Sequence, residues 1–154
     1  MGIKRIEDAS DNSDAVDRIT PSTLRETSDS EIDIQRESLG EEAIPIRHYV
    51  FVEPGADFME EIKRVAELEA GAGSTIASVH LRVEEALADE EESRMRTAAQ
   101  VLEAEGFQAR VSRYGFERGQ KPMSELSLTM AWGEGTLEEQ LGRTSPPPSE
   151  HEEL

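Results

Sequence analysis

Between residues 44 and 133 the spacing of apolar residues switches repeatedly between two and three-to-four, and that alternation restricts the chain to an α/β fold. Arg47-His48-Tyr49-Val50-Phe51-Val52 is β-branched and aromatic and stops at Glu53-Pro54-Gly55, which predicts a first strand. Phe58, Ile62, Val65, Ala66 and Glu69 then fall on one helix face, with Asp57 as cap, Glu60 three residues on, and Gly71-Ala72-Gly73 as the end. From Thr75 to Val83 the chain alternates strictly. Ala77, Val79, Leu81 and Val83 point one way; Ser78, His80 and Arg82 point to a wet or specialised face. Ala88–Glu105 reads as a second helix through Met95, Ala98, Ala99 and Leu102. Gly106 stands where a left-handed cap residue belongs, and Phe107 is placed to pack on Leu102. Phe107–Tyr114 and Glu125–Trp132 are the third and fourth strands, the latter with Leu126, Leu128, Met130 and Trp132 on one face.

The order is β-α-β-α-β-β. Strands separated by a helix are expected to be parallel with right-handed crossovers, and the fourth to return antiparallel across Gly115–Ser124. The expected fold is a small α/β domain over residues 44–135, a mixed four-stranded sheet with two helices. If both helices share a face, the other face needs cover from a tail or a partner.

Residues 1–43 carry twelve acids against five bases and no aromatic residue. Such composition buries too little apolar surface to offset the entropy of ordering, so an acidic disordered tail is expected, with Glu31-Ile32-Asp33-Ile34 as one short strand-like alternation. Residues 136–154, with Pro146-Pro147-Pro148 and the acidic end, are expected to form a second flexible tail.

The formal net charge of −18 opposes nucleic acid and anionic membranes, which both need a basic surface. The opening MGIKRIEDAS lacks the apolar run of a signal peptide and no stretch reaches the length of a membrane helix, so a cytoplasmic location is expected. The absence of cysteine removes disulfides, thiolate metal sites and thiol nucleophiles. Basic residues are thirteen Arg against three Lys in an acid-rich chain. That suits a high-salt cytoplasm, and a GC-rich genome produces the same preference.

Ligands of open parallel sheets gather beyond the C-terminal strand ends. Here those ends carry Glu53, Gly55 and Asp57, then Glu84, and these four are the candidate ligand-binding residues. The helix start after Gly55 can meet an anion, although Pro54, Gly55 and Asp57 also suffice simply to turn the chain and cap the helix. His48 and His80, with Glu53 nearby, lack the spacing of a metal site, and no metal or cofactor is expected. No G-x-S-x-G elbow or H-E-x-x-H helix occurs. The acid run Asp89-Glu90-Glu91-Glu92 is read as a helix N-terminal turn paired with Ser93, Arg94 and Arg96.

One resemblance rests on three segments: Val50-Phe51-Val52-Glu53-Pro54-Gly55, Ser78-Val79-His80-Leu81-Arg82-Val83-Glu84-Glu85, and Leu102-Glu103-Ala104-Glu105-Gly106-Phe107. Over residues 48–115 this pattern resembles the first half of a universal stress protein domain. The resemblance implies a doubly wound α/β fold with a nucleotide at the strand ends in many members, and Glu53 where the family often has an Asp. The family's later glycine-rich phosphate loop and last helices are absent, so it implies a shortened relative without ATP binding.

With no motif for chemistry, the leading expectation is a non-catalytic interaction or regulatory module acting through a protein partner or a second copy of itself. The alternative is a small-ligand-binding domain using the loops at Glu53–Asp57 and Glu84.

Overall fold

The computed structural model describes residues 19–40 and 44–144. Its elements run α1 (Pro21–Leu39), β1 (Val50–Phe51), α2 (Phe58–Gly71), β2 (Ile76–Glu84), α3 (Glu85–Ala104), β3 (Gln108–Arg118), β4 (Lys121–Ala131) and α4 (Leu137–Leu141). The fold is α/β with a mixed four-stranded sheet. The strands lie in the order β1-β2-β4-β3, with β1 parallel to β2 and β4 antiparallel to both β2 and β3.

β3 therefore runs parallel to β2, as the intervening helix demands, but does not pair with it. β4 folds back into the gap and becomes a central strand. The return is tighter than the sequence suggested. Residue Arg118 pairs with Lys121, and Gly119 and Gln120, with φ of 57° and 71°, make a two-residue turn of the hairpin type whose twist matches the strands. Most of the stretch expected as a connection, Gly115–Ser124, is strand.

Both crossovers step the same way across the sheet, from β1 to β2 and from β2 to β3. Right-handed crossovers in one direction put their helices on one face. The buried residues agree: Ile62, Val65 and Ala66 of α2 and Met95, Ala99 and Leu102 of α3 share a core with Val79 and Leu81 of β2 and Leu126, Leu128 and Trp132 of β4. α3 ends as expected. Gly106 has φ 103°, its N–H bonds the Glu103 carbonyl, and the N–H of buried Phe107 bonds the Leu102 carbonyl, closing the left-handed cap. At the end of α2 the same role falls to Gly73 rather than Gly71.

Two expectations about the tails are corrected. Pro21–Leu39 is a helix. Thr20 caps it in a reciprocal pair with Thr23, and Pro21 occupies the first turn, where its missing N–H costs nothing. Ile32 and Ile34 belong to this helix and not to a strand. α1 docks mainly through polar groups. Ser28 donates to the Ser74 carbonyl at 2.6 Å and accepts from Trp132 Nε1 at 2.9 Å, and Arg25 donates twice to the Trp132 carbonyl. Leu24 adds an apolar anchor in the core. Beyond the expected domain limit at 135, α4 buries Leu137 against Ile76 and Ala131. Within the two expected tails, residues 1–18, 41–43 and 145–154 lie outside the described residues.

Candidate functional site

The helices leave one sheet face open, and strand register decides what it shows. Because Val79, Leu81, Leu126 and Leu128 point into the core, their neighbours point out. Arg82 stands opposite Glu125 and His80 opposite Ser127 on the β2–β4 ladder. Tyr114 stands opposite Glu125 and Phe116 opposite Met123 on the β3–β4 ladder. Phe51 pairs with His80 from β1.

Glu125 sits at the centre with only 2% of its surface exposed. Tyr49 Oη donates to its Oε2 at 2.7 Å; Tyr114 Oη and Arg82 Nε donate to its Oε1 at 3.1 and 2.8 Å. Burial alone would raise this carboxyl. The hydrogen bonds from Arg82, Tyr49 and Tyr114, with the field of His80, hold it below its ordinary value. His80 moves to about 4, chiefly by burial; Glu125 pulls it up, while Arg47 and Arg82 push it down. Its imidazole is therefore neutral at pH 7. It stacks on the Tyr49 ring at 4.1 Å.

Ser127 Oγ lies 2.9 Å and Glu125 Oε2 3.5 Å from the same His80 nitrogen, Nδ1. A nucleophile–base–carboxylate relay uses the two ring nitrogens on opposite sides. The arrangement instead fixes the orientation of the groups around it. Over this network the Arg82 guanidinium lies 4.7 Å from the Phe51 ring centre and 5.7 Å from that of Phe116. Phe51 is 46% exposed and Tyr114 54%.

The four residues singled out from the sequence lie elsewhere, at the C-terminal ends of β1 and β2. Glu53 is exposed, and its carbonyl accepts from Ala56 N–H. Gly55, at φ 85°, donates its N–H to Glu91 Oε2 at 3.2 Å. The turn that leads into the helix start, read from the sequence as able to meet an anion or simply to turn the chain, thus already holds a carboxylate of the chain. Asp57 caps α2 by accepting from Glu60 N–H. Glu84 ends β2 and is 3.4 Å from Lys121. Since α3 begins at Glu85, no loop follows Glu84.

The acid run is also more engaged than its helix position implied. Glu91 pairs with Arg94 and Glu92 with Arg96, as helix spacing predicts. Arg113 of β3 in addition grips Glu85, Asp89 and Glu92 within 2.8 Å. No described helix is long and apolar enough to cross a membrane, and no three His, Asp or Glu among the described residues are placed to hold a metal.

His80 and Arg82 were visible in the sequence as the polar side of an alternating strand. Glu125, Tyr114 and Phe51 were not: the insertion of β4 brings Glu125 and Tyr114 to Arg82, and the β1–β2 pairing brings Phe51 there. No family model, curated protein or solved structure matches this chain.

Proposed function

We propose that this chain is an interaction module that takes a protein partner on the open face of its sheet and performs no catalysis there. The observation that carries the reading is the Phe51–Arg82–Phe116 row, with Phe51, Arg82 and the neighbouring Tyr114 exposed and Phe116 half-buried, held from beneath by the saturated Glu125 network. Aromatic residues and Arg are the side chains that dominate binding energy at protein interfaces. Rings fixed by neighbours lose little freedom when a partner covers them. Three cations of this face are matched by acids, Arg82 by Glu125, Lys121 by Glu84 and Arg110 by Glu138, while Arg118 at the hairpin end is unpaired among the described residues. Near-neutral aromatic surface on a chain of net charge −18 suits a protein partner better than a polyanion.

The test places a photo-crosslinking residue at Phe51 in the full chain, in its native cells, with the same residue at exposed Val101 on α3 as control. A discrete adduct from position 51, absent from position 101 and lost when Arg82→Glu is added, supports the reading. Equal adducts from both positions, or none from position 51, overturn it.

A further inference from the structure

In a chain this acidic, cations are normally matched. Lys63, Arg64, Arg82, Arg94, Arg96, Arg110, Arg113 and Lys121 each pair with a described carboxylate. Among the described residues Arg25, Arg36, Arg47, Arg118 and Arg143 form no such pair. Their placement is uneven. Arg25, Arg36 and Arg143 line one cleft of about 700 Å³ between α1, the start of β2 and the end of α4. Arg47 joins its rim, since Arg47 Nε donates to Thr144 Oγ1 at 2.7 Å and Thr144 lines the same cleft. Only Arg118, at the β3–β4 turn, lies away from it.

These arginines are positioned but not spent. Arg25 uses Nε and one terminal nitrogen on the Trp132 carbonyl, and Arg143 bonds the Glu134 carbonyl. A guanidinium carries five N–H donors, so each keeps part of its fork. The Arg36 guanidinium, in the last turn of α1, has no hydrogen bond or ion pair to a described residue; only the backbone carbonyl of Arg36 is used, by Gly40 N–H. The neighbouring Gly73-Ser74 backbone contributes no cradle, because its amides already bond the Ala70 and Glu69 carbonyls. Asp29 and Glu134 also line the cleft, unpaired with these arginines, and offer acceptors for ligand hydroxyls. Ile32, Ile44 and Pro45 supply an apolar wall.

We infer that this cleft binds a small organic anion, with Arg25, Arg36 and Arg143 gripping its phosphate or carboxylate groups and its carbon body lying against Ile32 and Ile44. Planar guanidinium forks match both oxyanions bidentately, which lysine does not. A net charge of −18 repels anions in general, so capture of one requires this local convergence. The site lies at the end of the sheet opposite Glu53 and Glu84, and it is independent of the open-face reading.

The test is calorimetric titration of the full chain with pyrophosphate and with citrate, at ionic strength fixed by KCl. At least one probe is expected to bind with one-to-one stoichiometry. Preference for pyrophosphate assigns a phosphate ligand, and preference for citrate a polycarboxylate. The Arg36→Gln, Arg143→Gln double variant, with its fold verified by amide spectra, is expected to bind at least tenfold more weakly, and Arg118→Gln as the parent does. Absence of binding by both probes, or equal weakening in Arg118→Gln, overturns the inference.

Discussion

Replacing Ser28 by alanine tests whether the first helix belongs to the fold. Ser28 is buried, and its hydroxyl bridges Trp132 Nε1 at 2.9 Å and the Ser74 carbonyl at 2.6 Å. Alanine removes both partners' contact at once. The indole N–H is then buried with no acceptor, which costs about 1–3 kcal/mol. The Ser74 carbonyl has a second lone pair and loses less. Alanine is also the better helix former, by up to about 0.5 kcal/mol, which masks part of the loss. Ser30→Ala measures that term separately, because Ser30 is exposed on the same helix. The expected difference between the two variants is about 1–3 kcal/mol, with Ser28→Ala the less stable. Urea denaturation followed by circular dichroism gives the free energies. Trp132 is the only tryptophan, so its emission reports the same contact directly and is expected to shift in Ser28→Ala alone. Equal midpoints for the two variants with unchanged emission would refute the docking of α1 on Trp132.

Gly106→Val is expected to destabilise the fold by about 2 kcal/mol, since a β-branched residue is forced to φ 103°, whereas Gly71→Val, in helical backbone with open space around it, is expected to be near neutral; denaturation midpoints of the two check it. Stability is expected to fall with pH through the His80 window. Burial puts its folded-state value at about 4 against 6.5 in the free side chain, so the unfolded chain binds the extra proton between those limits, and about 3 kcal/mol present above pH 6.5 is lost on approaching pH 4. Arg47 and Arg82 reinforce this shift, Glu125 opposes it, and Glu125 itself titrates lower, so His80→Gln is expected to flatten the profile between pH 6.5 and 4. An unaltered slope in that variant would assign the dependence to other groups.

The parts of the fold legible in the sequence are those set by local periodicity and local caps. β2 announces both its faces through strict alternation, and Gly106-Phe107 announces the end of α3, because each depends on residues a few positions apart. The hairpin was legible in principle from Arg118-Gly119-Gln120-Lys121, but a Gly-Gln pair is a weaker signal than Asn-Gly, and the strand ends were placed too far from it. Which strand lies beside β2 is not a local property. The sequence supports β3 as neighbour as well as β4, and that one choice decides whether Arg82 meets Glu125.

The helix Pro21–Leu39 shows why composition misled over residues 1–43. Composition measures the supply of apolar side chains, and a segment poor in them is expected to stay unfolded because little burial offsets its entropy. α1 escapes that estimate by docking with few apolar contacts and several directed ones: Leu24 in the core, then Ser28, Arg25 and Gln35 bonded to Trp132, Ser74 and Ala72. Thr20-Pro21 was the available sign of its start. The same logic applies to the arginine cleft. Arg36 and Arg94 are the same residue type on two acid-rich helices, yet the Arg94 side chain closes on Glu91 while the Arg36 side chain pairs with no described residue. Whether an arginine in such a chain is a structural counter-ion or a free hand for a ligand is set by the neighbours that the tertiary fold assigns it, and helix spacing reveals only the first kind.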